Sequence, residues 1–318
     1  MENLEIFGPV PSRRLGRSLG INNIPPKICT YACIYCQLGR AIKMEVERHA
    51  FYPVEEIVQK TREKIKRAEG AGEAIDYLTF VPDGEPTLDI NLGKEIELLK
   101  TLGIKTAVIT NASLLWKEDV RTDLTSADWV SLKIDSTEES IWRKINRPHK
   151  VLRLNEILEG ILAFAEKYSG KLVTETMIVK AVNDLEENAG KVAEFLARLK
   201  PSTVYISVPT RPPAEKWVEP PDEDILNRVY QIFDEELQNV EYLIGYEGNT
   251  FAFTGNVEED ILSITAVHPM REDAVSEFLS KAKAGWSVIE ELIHKGILIE
   301  TEYGNKKFYA RKLTIPYH

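Results

Sequence analysis

Between residues 18 and 237 the chain repeats one pattern, a short apolar run followed by a longer amphipathic stretch. Strands are expected at 18–23, 77–81, 105–110, 129–134, 172–179 and 203–208, where apolar and β-branched side chains dominate. Helices are expected at 53–69, 92–102, 114–124, 138–145, 154–168 and 222–237, and one more begins near Asn183, with Glu186 at capping-box spacing. In the first of them Val54, Ile57, Val58, Thr61, Ile65 and Ala68 share a face. Short apolar strands alternating with helices require a parallel sheet covered on both faces. The fold class expected is therefore α/β, a partial (β/α)6 TIM-like barrel, whose chemistry belongs at the carboxyl ends of the strands.

Composition narrows the function. With 43% hydrophobic and 28% charged residues over 318 positions, the chain is neither disordered nor of membrane composition. No apolar run approaches the ~18 residues of a spanning helix, and the amino terminus lacks the basic-then-apolar layout of a signal peptide. A cytoplasmic protein with no membrane partner is expected. The net charge of -10 argues against a general polyanion binder. Yet residues 1–43 carry Arg13, Arg14, Arg17, Lys27, Arg40 and Lys43 against two glutamates, so that end is locally basic.

All three cysteines, Cys29, Cys33 and Cys36, fall in one window of eight residues. Clustered thiols outside a secretory context suit a reducing compartment and metal binding, not disulfides. Thiolates are soft ligands, favoured by iron-sulfur clusters and zinc. A buried helix face of inert cysteines is the bland alternative, opposed by the preceding Pro25-Pro26 and the following Gly39, which mark a loop. Zinc needs further donors, and the nearest histidine downstream, His49, comes without a second Cys or His pair at finger-like spacing. A four-iron cubane normally takes four cysteines. With three in the whole chain, one iron is left open to a cofactor or substrate.

The C-x3-C-x2-C window with Tyr35 before its last cysteine resembles the signature of the radical S-adenosylmethionine (radical SAM) superfamily. The segment from Gly8 to Gly39 resembles a group of iron-sulfur oxidoreductases of mostly unassigned substrate. The resemblance implies that Cys29, Cys33 and Cys36 hold a [4Fe-4S] cluster whose open iron chelates S-adenosylmethionine. Reductive cleavage then gives a 5′-deoxyadenosyl radical that removes hydrogen from a substrate, chemistry the cofactors supply and the protein orients. An external one-electron reductant of flavodoxin or ferredoxin type is implied as partner.

Strand-end segments match the same family. Pro82-Asp83-Gly84-Glu85-Pro86 is similar to its glycine-glycine-glutamate motif, which assigns Gly84 and Glu85 to the cofactor, Glu85 on the methionine ammonium. Read alone, the segment is a turn. Thr110-Asn111-Ala112-Ser113 is similar to the threonine-asparagine-glycine segment, assigning Asn111 and Ser113, and Asn111 also suits a helix cap. The stretch 131–136 is similar to the serine-leucine-aspartate segment and assigns Asp135, with Lys133 as an extra residue in its register. Ile178 is placed on the adenine, and Tyr35 completes the cofactor set. Arg13, Arg14, Arg17, Lys180 and Arg211 are candidates for contacting substrate, because an arginine fork between prolines can hold a carboxylate or phosphate. The same residues also read as solvated surface.

Past residue 255 the pattern changes to helices at 257–263, 271–283 and 286–295 followed by a hairpin around Tyr303-Gly304-Asn305, similar to a winged helix-turn-helix. Two units are expected, a barrel over 1–255 and a winged-helix-like domain over 256–318. Ten acidic against eight basic residues in 257–318, with Glu290 and Glu291 on the would-be reading helix, disfavour nucleic acid. A docked peptide or protein, or packing on the barrel, is favoured. A non-catalytic iron-sulfur sensor with a promoter-binding tail is the second reading.

Overall fold

The structure, a computed structural model, describes residues 4–244 and 248–312. β1 (Glu5–Ser12) turns back antiparallel into β2 (Gly16–Asn22). The cysteine loop follows, pinned by the two-residue pair β3 (Ile28–Cys29) and β4 (Lys43–Met44). Then come α1 (Val54–Gly70), β5 (Tyr77–Phe80), a 3-10 turn at Pro86–Leu88, α2 (Leu92–Lys100), β6 (Lys105–Thr110) and α3 (Glu118–Leu124). β7 (Trp129–Lys133) leads to α4 (Glu139–Asn146) and α5 (Leu154–Lys167), and β8 (Lys171–Met177) to α6 (Glu186–Leu199). β9 (Thr203–Ser207), α7 (Glu223–Glu236) and β10 (Val240–Leu243) complete the sheet.

The eight strands run in the order β1-β2-β5-β6-β7-β8-β9-β10, parallel from β2 onward. Among the described residues β1 and β10 are not paired, so the barrel is partial. The six expected strands are all present, with β1 and β10 in addition. Pro9 and Pro11 hide β1 from a sequence reading, although proline is tolerated on an edge strand. β10 is only four residues, Val-Glu-Tyr-Leu, too short to show a pattern.

Side-chain parity divides the sheet. Outward residues such as Leu78, Phe80, Val108, Val130, Leu132, Ile134, Val204 and Ile206 join the helices in the main core. Inward, Leu15, Ala107, Trp129, Val173, Tyr205 and Leu243 form a smaller cluster. Two or four residues further along the same face stand Ile109, Lys133, Glu175, Met177 and Ser207, at the carboxyl ends of their strands.

Two helix-start expectations are corrected. α6 begins at Glu186 with Leu185 before it, because the Asn183 side chain is used elsewhere: its Oδ1 accepts from Val179 N at 2.8 Å. α3 begins only at Glu118, because 112–117 closes as turns, Leu115 N to Ala112 O at 3.1 Å and Lys117 N to Leu114 O at 2.9 Å. Asn111 therefore caps no helix.

Beyond the sheet come α8 (Val257–Val267), β11 (Met270–Arg271), α9 (Glu272–Lys281), α10 (Ser287–His294), β12 (Leu298–Tyr303) and β13 (Lys306–Arg311), with an antiparallel sheet in the order β11-β13-β12. Their core includes Phe251, Ile261, Ile264, Phe278, Leu292 and Tyr309 together with Phe7 and Val10 of β1. Gly20 of β2 pairs with Phe7, and a Cβ there would stand 2.0 Å from the Phe7 ring. The glycine makes room for the ring that links the two parts. Among the described residues no helix is long and apolar enough to cross a membrane.

Phe7→Ala removes that link. By the cost of emptying a buried aromatic site it should destabilise the chain by about 3–5 kcal/mol. Urea unfolding measures the loss, and limited proteolysis should cleave the carboxyl-terminal segment first.

Candidate active site

The cysteine loop has almost no regular secondary structure of its own, so its neighbours fix it. Ala32 N donates to Asn146 O at 3.0 Å and Ile34 N to Ile145 O at 3.0 Å, tying the loop to the end of α4. Thr30 is fully buried, and its Oγ1 accepts from Asn111 Nδ2 at 2.8 Å and from Ser113 Oγ at 2.6 Å. Glu85 N donates to Ile28 O at 3.2 Å. At Gly84 a Cβ would lie 2.0 Å from Ile28 O, so only glycine lets the two backbones approach.

All three thiols line one cavity of about 370 Å3 at the carboxyl ends of the strands. Asn111 Nδ2 approaches Cys29 Sγ at 3.6 Å and Asn146 Nδ2 approaches Cys33 Sγ at 3.5 Å. Burial pushes every thiol up, Cys33 to about 12 with Asp135 adding to the effect. Three thiolates here need a cation, which a bound metal centre provides. Among the described residues no three His, Cys, Asp or Glu side chains converge as a single ion requires. His49, the zinc alternative's donor, is 2.8 Å from Glu45 instead. Three thiols on one cavity suit a cluster, which gives each its own iron.

Glu85 is buried beside them. Its Oε1 accepts from Thr87 N at 3.1 Å, Thr87 Oγ1 at 2.5 Å and Thr110 Oγ1 at 2.6 Å, and its Oε2 from Asn111 N at 2.8 Å. Burial nevertheless raises the carboxyl above its usual range, so an ammonium placed against it would restore its charge. Ala112, where the family segment has glycine, sits at φ 63, the left-handed region. That turn aims Asn111 N at the carboxylate.

Two charges of the cavity, Glu175 and Lys133, were not among the expected site residues. Glu175 Oε2 accepts from Arg14 Nη1 at 2.6 Å, and Oε1 from Lys133 Nζ at 2.8 Å and Ser207 Oγ at 2.9 Å. The two cations hold its carboxyl far below the carboxylate range despite burial. Lys133 also stands 4.9 Å over the Tyr35 ring. Period-two alternation could have found both, since Lys133 and Glu175 share inward parity with Trp129 and Val173.

Cys29, Cys33, Cys36, Tyr35, Gly84, Glu85, Asn111, Arg13, Arg14 and Arg211 all line the cavity. The other expected site residues do not. Ser113 is buried behind Thr30, and Asp135 lies behind the wall, where it accepts from the Tyr35 hydroxyl, from Asn146 Nδ2 at 2.7 Å and from Met177 N at 2.9 Å. Ile178 packs in the outer core while its neighbour Met177 faces the cavity. Arg17 has outward parity and pairs with Glu73 at 3.2 Å. Lys180 lies past the end of β8 and pairs with Asp222 at 2.8 Å. At the rim Arg211 Nη1 donates to Gln37 Oε1 at 2.8 Å and Nη2 lies 2.9 Å from Nε2 of His268, so the carboxyl-terminal segment closes part of the opening.

Two substitutions test this geometry. Gly84→Ala should push the loop off Ile28 and lower iron incorporation by about tenfold or more, the scale of lost ligand support, read as iron per chain after reconstitution. Asp83, buried with Oδ1 3.9 Å from Lys27 Nζ, is raised by burial from 3.8 to about 7. The folded carboxyl binds its proton more tightly than the unfolded one. Its stabilisation is therefore complete below about pH 4 and lost as pH rises through about 7. Asp83→Asn should flatten that part of the metal-free chain's pH-stability curve, by at most roughly 4 kcal/mol at about 1.4 kcal/mol per unit.

The cavity-bearing part of the chain has relatives. A sequence model described as the Radical SAM superfamily matches residues 23–196. The chain is similar to a UPF0026 protein of Methanocaldococcus jannaschii, 51% identical over 96% of each chain. Its fold is similar to that of Streptococcus suis SuiB bound to S-adenosylmethionine, with TM-score 0.52 and 14% identity over 72% of this chain and 51% of that one. It is also similar to TYW1 with a lysine-pyruvate adduct bound, with TM-score 0.51 and 15% identity over 70% and 74%.

Proposed function

The chain belongs to the radical SAM superfamily, and from that premise we propose that it removes a hydrogen atom from an anionic substrate held at the rim of this cavity. It is an enzyme of that class, and its cofactors are a [4Fe-4S] cluster and S-adenosylmethionine. Together these supply reductive cleavage of the sulfonium to a 5′-deoxyadenosyl radical. Cys29, Cys33 and Cys36 hold the cluster in this reading. Glu85 takes the ammonium of S-adenosylmethionine, and Gly84 lets the loop that carries Glu85 lie against the cysteines. Asn111 steadies the Cys29 side, and Tyr35 with Asn146 the Cys33 side. Apolar Val81, Met177 and Val208 keep water from the interior.

The observation that carries the substrate class is the lining charge. Arg13, Arg14, Lys27, Lys133 and Arg211 face Asp83, Glu85 and Glu175, a cationic excess in a chain of net charge -10. Arg13, exposed, and Arg211, half-buried, suit a carboxylate or phosphate on a peptide, a nucleoside or a small acidic metabolite.

The helix-strand-helix-helix-hairpin order beyond residue 256 supports the winged-helix-like reading of a second unit. Its contact with the rim through His268 favours a role in shaping or docking substrate over promoter binding, the role the sensor reading needs. Clustered thiols fit a reducing, cytoplasmic setting.

The test is anaerobic reconstitution with iron and sulfide, dithionite reduction, addition of S-adenosylmethionine and quantification of 5′-deoxyadenosine. Wild type should form it, and Cys33→Ala should fall to background. Glu85→Gln should raise the KM for S-adenosylmethionine about 10- to 100-fold, the worth of one charge-assisted contact. An unchanged electron paramagnetic resonance spectrum of the reduced cluster on adding S-adenosylmethionine would overturn the assignment.

A further inference from the structure

Three segments flank the cysteine loop on its solvent side. Residues 40–44 pair with it through β3 and β4, with Lys43 N donating to Lys27 O at 3.2 Å. Residues 144–150 meet it at Ile34 and Ala32, and again where His149 N donates to Thr30 O at 2.9 Å. Residues 215–217 meet it where Glu215 N donates to Ile34 O at 3.0 Å. Together they carry Arg40, Lys43, Lys144, Arg147, Lys150 and Lys216, all exposed, against two acids, Glu215 and, 3.1 Å from Lys43, the adjoining Glu45.

Glu215 does not neutralise the patch. It is buried between Arg40 at 3.0 Å and Arg147 at 2.5 Å, and so fixes both guanidinium groups beside the loop. Trp217, 51% exposed, and Ile42, 52% exposed, supply apolar surface among the cations. None of these eight residues lines the cavity. Their charge therefore serves something that approaches the thiols from outside, not the substrate at the opening.

We propose that this patch is the docking surface for an acidic one-electron carrier protein, which delivers to the group held by Cys29, Cys33 and Cys36. The inference rests on the radical SAM reading, in which that group takes up one electron per turnover. The carrier is oxidised by one electron, and no bond is made or broken in the transfer. In a chain of net charge -10, an acidic partner is repelled everywhere except at a local excess of cations. Here that excess surrounds the loop through which the electron must pass. Exposed Trp217 is the kind of aromatic anchor such interfaces use. A nucleic acid would need a longer basic track, and to be substrate it would have to reach the opening.

The experiment measures binding, by isothermal titration calorimetry, of the reconstituted chain to a bacterial flavodoxin as acidic carrier, to cytochrome c as basic carrier and to a 20-nucleotide RNA. Wild type should bind flavodoxin and not cytochrome c, and the affinity should fall about tenfold between 50 mM and 500 mM salt. Lys150→Glu with Lys216→Glu, two exposed side chains away from the Glu215 pairs, should weaken flavodoxin binding by about tenfold or more. Trp217→Ala is the second variant and should weaken binding without changing its salt dependence. Unaltered flavodoxin binding in both variants, equal binding of cytochrome c, or RNA binding that the Lys150→Glu/Lys216→Glu variant abolishes while flavodoxin does not bind, would overturn the proposal. Dithionite-driven 5′-deoxyadenosine formation by wild type is run alongside. Product without flavodoxin binding sinks the docking surface alone, and no product with an unresponsive cluster sinks the radical SAM reading beneath it.

Discussion

The site depends on a buried hydroxyl. Thr30 has no exposed surface, and its Oγ1 is the point where Asn111 and Ser113, from the turn after β6, take hold of the loop that carries the cysteines. Asn111 in turn gives its backbone N–H to Glu85 on the neighbouring strand end. Three loops, two of them joined by a single β-bridge between Ile28 and Gly84, are thus locked by a few short polar contacts in a dry setting. Such bonds are stronger there than in water, and the loss of any one leaves partners unsatisfied. Gly84 adds the steric half of the constraint, since its missing Cβ sets how near the Glu85 loop comes to Ile28.

Behind this polar lock lies a second arrangement of opposite character. Arg14 and Lys133 share the Glu175 carboxylate, and Arg14 also stands 5.8 Å and 5.9 Å from the Trp129 and Tyr205 rings. Two cations on one anion leave a positive excess inside a barrel, where desolvation opposes isolated charge. Ser207 and Ser131 add polar contacts at 2.9 Å and 3.4 Å. The network joins β1–β2, β7, β8 and β9, so the wall that faces the substrate region is rigid and polar while the outer faces of the same strands are apolar.

Strand and helix identity was legible because local apolar runs with β-branched residues do not depend on distant partners, and all six expected parallel strands are present. Within the site, the residues named by motif at loop backbones, Gly84, Glu85 and Asn111, reach the cavity, because a short turn leaves little choice of direction. Elsewhere the named residues and the lining differ: Ile178 packs in the outer core while its neighbour Met177 lines the cavity, and Asp135, two residues beyond Lys133 on the same parity, lies past the end of β7 and is held by Asn146 and the Met177 N–H. Arg17 and Lys180 pair with Glu73 and Asp222, as a charge near a strand end is equally well solvated outside. β1 and the seat it gives to the carboxyl-terminal helices were illegible. That contact joins Phe7 to Phe251 and Ile261 across more than two hundred residues, and no local pattern encodes it.

The electrostatics of the thiols explain why such a lock is needed. Burial drives Cys29, Cys33 and Cys36 toward the protonated form, and Glu85 and Asp135 push two of them further. Ligation needs all three deprotonated, so metal binding must supply the free energy that burial removes, and it releases protons as it does so. A loop free to turn its thiols to water would lose that coupling, because solvated thiolates would form without ordering anything. Held by Thr30, Asn146 and the Ile28 carbonyl, the thiols stay in the wall of the cavity, and a cluster bound there would make the buried site electrically tolerable. The same rigidity keeps Glu85 near the cysteines with its carboxyl raised by burial, ready to accept an ammonium where none of the described side chains provides one.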